Sequence, residues 1–151
     1  PMGASPWDVR CAIYTRERPN GICAPCSDTP SAQFELCRAY IEGRHADGWK
    51  ALARHYHDQK LCGGGTYRPA FQLLLREVEA GGIDRIVVHK MSCFAPSLGE
   101  LSSTMMILDY GRCSLVAAAQ GLDSSTPGGR RVVSILSMLA RPETGRRPAC
   151  D

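Results

Sequence analysis

Apolar positions along the chain switch repeatedly between a period of two and a period near 3.6, and that switching predicts the elements. Val9 to Thr15 is rich in apolar residues and alternates weakly, which predicts a first strand. Phe34, Cys37 and Ile41 fall at i, i+3 and i+7, the spacing of one helix face, so a helix is expected from about Ser31 to Arg44. Leu52 to His57 reads as a weak second strand. Pro69 suits a first helical turn, where its missing N–H would be unpaired anyway. Phe71, Leu74, Leu75 and Val78 supply that helix's stripe, and Gly81-Gly82 ends it. Ile83 to Val88, β-branched and mostly apolar, has the pattern of a central strand. Ser97 with Glu100 forms a capping box for a helix lined by Leu98, Leu101, Met105 and Leu108. Leu115 to Ala119 predicts a fourth strand, and Val132, Ile135, Leu136 and Leu139 a final helix.

The predicted order is β-α-β-α-β-α-β-α, which implies an α/β fold with a mostly parallel central sheet and helices on both faces. In such folds ligands collect just past the carboxyl ends of the strands, so the loop after Tyr14, with Arg16, Glu17 and Arg18, is the expected centre of any site. Pro19 to Pro30 is proline-rich and without periodicity, a long loop, and Gly63-Gly64-Gly65 reads as a hinge. No internal repeat or second domain is visible, and 151 residues fit one domain.

Composition changes little. Apolar residues are 44% and charged residues 22%, ordinary for a globular protein, and the net charge of +3 is mild. No apolar run reaches the roughly 18 residues of a membrane span. Pro1 to Asp8 lack the layout of a signal peptide. A soluble, cytoplasmic protein without membrane contact is expected. Of eight cysteines, Cys11, Cys37 and Cys113 lie on or beside apolar segments, where thiols act as small hydrophobes, so no disulfide framework is expected.

Three patterns invite chemistry. Cys23-Ala24-Pro25-Cys26 has the spacing of a zinc half-site or redox pair, but no second pair exists and the motif sits in a proline-rich loop, so no metal is expected there. His55 and His57 should point to one side of a strand, more in keeping with solvated imidazoles than with metal ligands. Arginines 16, 18, 68, 130, 131, 141, 146 and 147 offer either an anion-binding surface or ordinary solvated charge.

Together these segments resemble the catalytic domain of serine recombinases, the resolvase/invertase family. The resemblance runs from about Arg10 to Glu143. It rests on Tyr14-Thr15-Arg16, Gln33, Cys37, Ala39-Tyr40-Ile41, Gly48-Trp49, Tyr56, Asp58, Gly63-Gly64, Arg68-Pro69-Ala70 and Leu74-Leu75. Glu79-Ala80-Gly81, Ile83-Asp84, Val87-Val88, Lys90, Ser97-Leu98, Gln120, Thr126, Gly129-Arg130 and Leu136 continue it. The resemblance implies a three-layer resolvase-like fold over residues 9–141, after a tail at 1–8. Residues 142–151 stand where the family has its long dimerisation helix, and Pro142 weakens that helix here.

The resemblance implies DNA cleavage by a serine hydroxyl, with arginines stabilising the phosphoryl transition state and no cofactor or metal. The family pattern Tyr-x-Arg-x-Ser is met by Tyr14 and Arg16, but Arg18 occupies the serine position. An arginine stays protonated and cannot attack. The family's Asp-Arg-Leu-x-Arg run is matched by Ser92-Cys93-Phe94-Ala95-Pro96, without its aspartate or arginines. Lys60 and Cys62 replace the usual glycine and serine before Arg68. Arg16, Arg68 and Gln33 remain as retained catalytic positions, with Glu143 near the end, while Thr29, Arg130 and Arg131 are candidate DNA contacts. The expectation is a recombinase-type domain without cleavage activity. Its alternative is a remnant that binds DNA or a recombinase. The partners implied are DNA, held weakly and non-specifically, and a second copy or a recombinase.

Overall fold

Strand β1 (Val9–Arg16) is flanked on both sides, as its apolar run requires. It pairs in parallel with β2 (Trp49–Asp58) and β3 (Arg85–Val88). β4 (Ser114–Ala117) lies parallel to β3, and β5 (Leu122–Asp123) closes the sheet antiparallel to β4. The strand order is therefore β2-β1-β3-β4-β5. The structure is a computed structural model describing residues 8–17, 29–58, 68–95 and 98–139, with the backbone alone at 92, 98, 137 and 139.

Among the described residues the α-helices are α1 (Pro30–Glu42), α2 (Pro69–Glu79), α3 (Met91–Phe94) and α4 (Leu98–Tyr110) between strands, and α5 (Pro127–Leu139) after the last strand. Thr29 caps α1 by accepting the Ala32 N–H at 3.1 Å, and Pro30 occupies the first turn. Alternation along β1 splits the core into two layers. Cys11 and Ile13 pack with Cys37, Ile41 and Trp49 on the α1 side. Ala12 and Tyr14 pack with Phe71, Leu74, Phe94, Leu101 and Leu108 on the other. Each fully buried side chain of this size contributes about 1.5–3 kcal/mol, so the two layers carry most of the fold's stability.

The three-layer, mostly parallel arrangement matches the expectation, with local corrections. β2 spans ten residues rather than the six read as strand, because it is an edge strand with long exposed stretches. Its register jumps between Cys11↔Ala51 and Ile13↔His55, placing two extra residues in β2 and keeping the faces in phase. The fourth strand stops at Ala117, and Ala118–Gln120 turns instead. β5 and α3 were not expected, since two and four residues are too short to show a period. The Ser97 half of the capping box, the Gly63–Gly65 hinge, and the tails 1–7 and 140–151 lie outside the described residues. Among the described residues no helix is long and apolar enough to cross a membrane.

Candidate active site

The chain leaves β1 toward β2 on one side and returns to β3 on the other, so the topological switch point lies between β1 and β3. A crevice outside the carboxyl ends of strands at such a point is where α/β sheets bind ligands. Arg16 and Glu17 emerge there from β1, and His89 and Lys90 from β3. Gln33 of α1, 1% exposed, clamps the β1 end by accepting the Arg16 N–H at 3.1 Å and donating to the Arg16 carbonyl at 3.0 Å. That two-point clasp fixes the backbone from which the Arg16 side chain projects. Among the described residues the half-buried Arg16 guanidinium makes no hydrogen bond or ion pair.

Below this rim, Tyr14, Asp58 and Arg68 meet in the core. All three are buried. The Tyr14 hydroxyl donates to Asp58 Oδ2 at 2.7 Å and accepts from Arg68 Nε at 3.2 Å. Asp58, at the end of β2, also accepts the Ala70 and Phe71 N–H groups at 2.8 and 3.0 Å, so it caps α2 from outside. Burial pushes the Tyr14 phenol well above its ordinary pKa, against the lowering effect of the Arg68 charge. The hydroxyl therefore serves as a fixed bridge rather than an acid.

Arg68 is 5% exposed, and its fork is occupied. Nη2 donates to the Phe94 carbonyl at 2.7 Å and the Cys93 carbonyl at 3.3 Å, and Nη1 reaches Glu100 at 3.4 Å. The guanidinium also lies 3.8 Å from the Phe71 ring centroid, a cation–π distance. The Ser92–Pro96 run, which lacks arginines, thus offers its α3 carbonyls as acceptors for Arg68. Pattern reasoning singled out Arg16, Arg68 and Gln33 but gave Asp58, Tyr14 and Glu100 no part in one network. The signal available for Asp58 was a carboxylate ending a strand shortly before a proline-started helix.

The other candidates lie apart. Arg130 on α5 is held by Asp109 of α4 through two bonds of 2.7 and 2.8 Å, while Arg131 is exposed. Thr29 is committed to its α1 cap. Arg18, Cys23, Cys26, Lys60, Cys62, Pro96 and Glu143 lie outside the described residues. Cys11, Cys37 and Cys113 are buried free thiols pushed up to about 12 by burial, which suits the hydrophobe reading. Both imidazoles of β2 do lie on one side, but they are hydrogen-bonded to Thr15 rather than merely solvated. Among the described residues no group of three or more His, Cys, Asp or Glu side chains could hold a metal ion.

The sequence profile of the resolvase N-terminal domain matches residues 14–146. Solved structures with the same fold include the N-terminal catalytic domain of TP901-1 integrase, 23% identical, covering 86% of this chain and 92% of that one, with a TM-score of 0.67. A resolvase family site-specific recombinase from Streptococcus pneumoniae is also 23% identical, covering 88% and 86%, with a TM-score of 0.71. The C-terminal catalytic domain of ISC1926 TnpA, an IS607-like serine recombinase, is 16% identical, covering 87% and 80%, with a TM-score of 0.55. No curated protein matches the chain at a significant level.

Proposed function

The chain belongs to the resolvase N-terminal domain family, and from that premise we propose that it is a recombinase-type catalytic domain that does not cleave DNA. The observation that carries this reading is the commitment of Arg68. A guanidinium bonded to two carbonyls, a phenol and a carboxylate, at 5% exposure, has four of its five N–H donors committed and almost no surface to offer a phosphate.

The sequence supports the same reading. Arg18 stands at the nucleophile position, and Ser92–Pro96 carries neither the acid nor the two arginines of the family run. Losing a nucleophile typically costs on the order of a millionfold in rate. Each missing charge-stabilising donor costs on the order of a hundredfold more. Arg16 and Lys90 offer positive charge at the rim, without the group that would attack.

The test is a suicide-substrate assay on DNA, comparing the chain with its Arg18→Ser variant. Neither protein is expected to give a covalent protein–DNA product. A covalent product from the unaltered chain overturns the reading. A product from Arg18→Ser alone would confine the defect to the missing serine and refute the part assigned to Arg68.

A second reading, a remnant that pairs with a second copy or a related recombinase domain, draws on α5. Val132, Ile135 and Met138 are 44%, 52% and 79% exposed, and Met106 and Tyr110 of α4 are exposed as well. An exposed apolar side of this extent on two neighbouring helices suits a partner helix. Concentration-dependent dimerisation that Ile135→Glu abolishes would support it, and a monomer at every concentration would refute it.

A further inference from the structure

One cluster beside the rim has no part in the recombinase reading. On the α1 side of the sheet, the buried Thr15 hydroxyl oxygen lies 2.8 Å from His55 Nε2 and 2.8 Å from His57 Nδ1. The register sets this up, because Ile13 faces His55 and Thr15 faces His57 across the β1–β2 pair. Alternate residues of one strand therefore bring both rings to the same face. Phe34 of α1 packs on His55 with ring centroids 4.4 Å apart, which fixes that ring, and the two imidazole centroids are 5.9 Å apart.

We propose that His55, His57 and the Thr15 hydroxyl form a binding site for one first-row divalent transition-metal ion of the Zn2+, Ni2+ or Cu2+ class. Two nitrogens from separate rings aimed at one point make a chelate, and imidazole selects these ions over Mg2+ and Ca2+, which take oxygen ligands. Donors bound at about 2.1 Å lie about 3 Å from their neighbours in a six-coordinate shell. The observed nitrogen–oxygen separations are close to that, so small ring rotations admit the ion without moving the strands. The group falls short of three strong ligands, so the hydroxyl is the weak third donor and water completes the shell. That makes an open site rather than a closed structural one. Access is direct, since β2 is an edge strand and His55 is exposed on it. A bound ion would tie the ends of β1 and β2 together next to Arg16, whether or not the chain cleaves DNA.

The test uses the whole chain, stripped of metal and kept reduced, in a Cys23→Ser/Cys26→Ser background that removes the rival thiol pair. Calorimetric titration with Zn2+ and Ni2+ is expected to give one ion per chain. Electron paramagnetic resonance of the Cu2+ form is expected to show coupling to two imidazole nitrogens. A His55→Gln/His57→Gln variant with an unchanged circular dichroism spectrum should bind at least about tenfold more weakly, the scale on which even outer-shell ligand support acts. Unchanged affinity in that variant overturns the site, as does a Cu2+ signal without imidazole coupling or the absence of binding in the parent. The Cu2+ spectrum of the parent decides the matter even if the double variant does not fold.

Discussion

Replacing Arg68 with methionine separates a guanidinium that holds the fold from one held ready for a ligand. Methionine keeps the volume and the contact with Phe71 but removes every donor. The Phe94 carbonyl then loses its 2.7 Å partner and the Cys93 carbonyl its weaker 3.3 Å one, both inside the core. An orphaned buried acceptor costs about 1–3 kcal/mol. The Tyr14 bond at 3.2 Å adds less, because the phenol keeps Asp58. The Glu100 contact is long and Glu100 is 40% exposed, so that carboxylate rehydrates at small cost. The total is about 3–5 kcal/mol, the range for removing one partner of a buried ionic network. Urea unfolding followed by fluorescence of Trp49, 5% exposed in the core, reads it directly. With a slope near 2 kcal/mol per molar urea, the midpoint should fall by about 2 M. A variant within about 1 kcal/mol of the parent would refute the reasoning and leave Arg68 available to a phosphate.

Three other outcomes follow from particular contacts. A Cβ on Gly129 would sit 1.9 Å from the Asp123 carbonyl oxygen, whereas one on Gly128 meets nothing within 4 Å. Gly129→Ala should therefore cost about 2 kcal/mol or more, and Gly128→Ala should gain up to about 1 kcal/mol from helix propensity, both read by thermal unfolding. If the domain retains DNA, Arg131→Ala should reduce the slope of log affinity against log salt by about 0.9. Arg130→Ala, whose guanidinium is held by Asp109, should reduce it by less, and equal effects would refute that ranking. Burial alone would raise the Asp84 carboxyl, but hydrogen bonds from Arg10 outweigh it and hold the carboxyl below its ordinary 3.8. The stability that this pair adds is present above that ordinary value and is lost as pH falls through the lower folded one. Asp84→Asn should then flatten the acid limb of the unfolding curve, and an unchanged limb would refute the assignment.

The layers of the fold were legible because burial repeats with the period of each element. β1, α1, α2 and β3 each carry enough consecutive apolar positions to reveal a face. β5 and α3 do not, and β2 hid its length because an edge strand exposes most of its outward residues. The site was harder for a different reason. Tyr14, Asp58 and Arg68 are separated by 44 and 54 residues along the chain, and their meeting depends on how β2 delivers its last residue to the start of α2. Sequence pattern marks Arg68 as a charge ahead of a proline. It carries no mark that this charge is roofed by Phe71 and bonded to the α3 carbonyls. The same holds for Thr15, whose neighbours in sequence gave no sign of two imidazoles meeting at its hydroxyl.

These facts bear on why a single reversion should not restore the proposed lost activity. A serine at position 18 would supply an attacking oxygen, but phosphoryl transfer also needs cations placed where negative charge develops. In the run from Ser92 to Pro96 the side chains that would bring such cations are absent, and the backbone of Cys93 and Phe94 instead accepts from Arg68. Freeing Arg68 would orphan those carbonyls at a cost comparable to a large part of a domain's total stability, which is typically about 5–15 kcal/mol. On the proposed reading a serine at position 18 alone would still lack the cations missing from Ser92 to Pro96, while Arg68 stays bonded to the Cys93 and Phe94 carbonyls. Recovery on this account requires position 18 and the α3 run to change together.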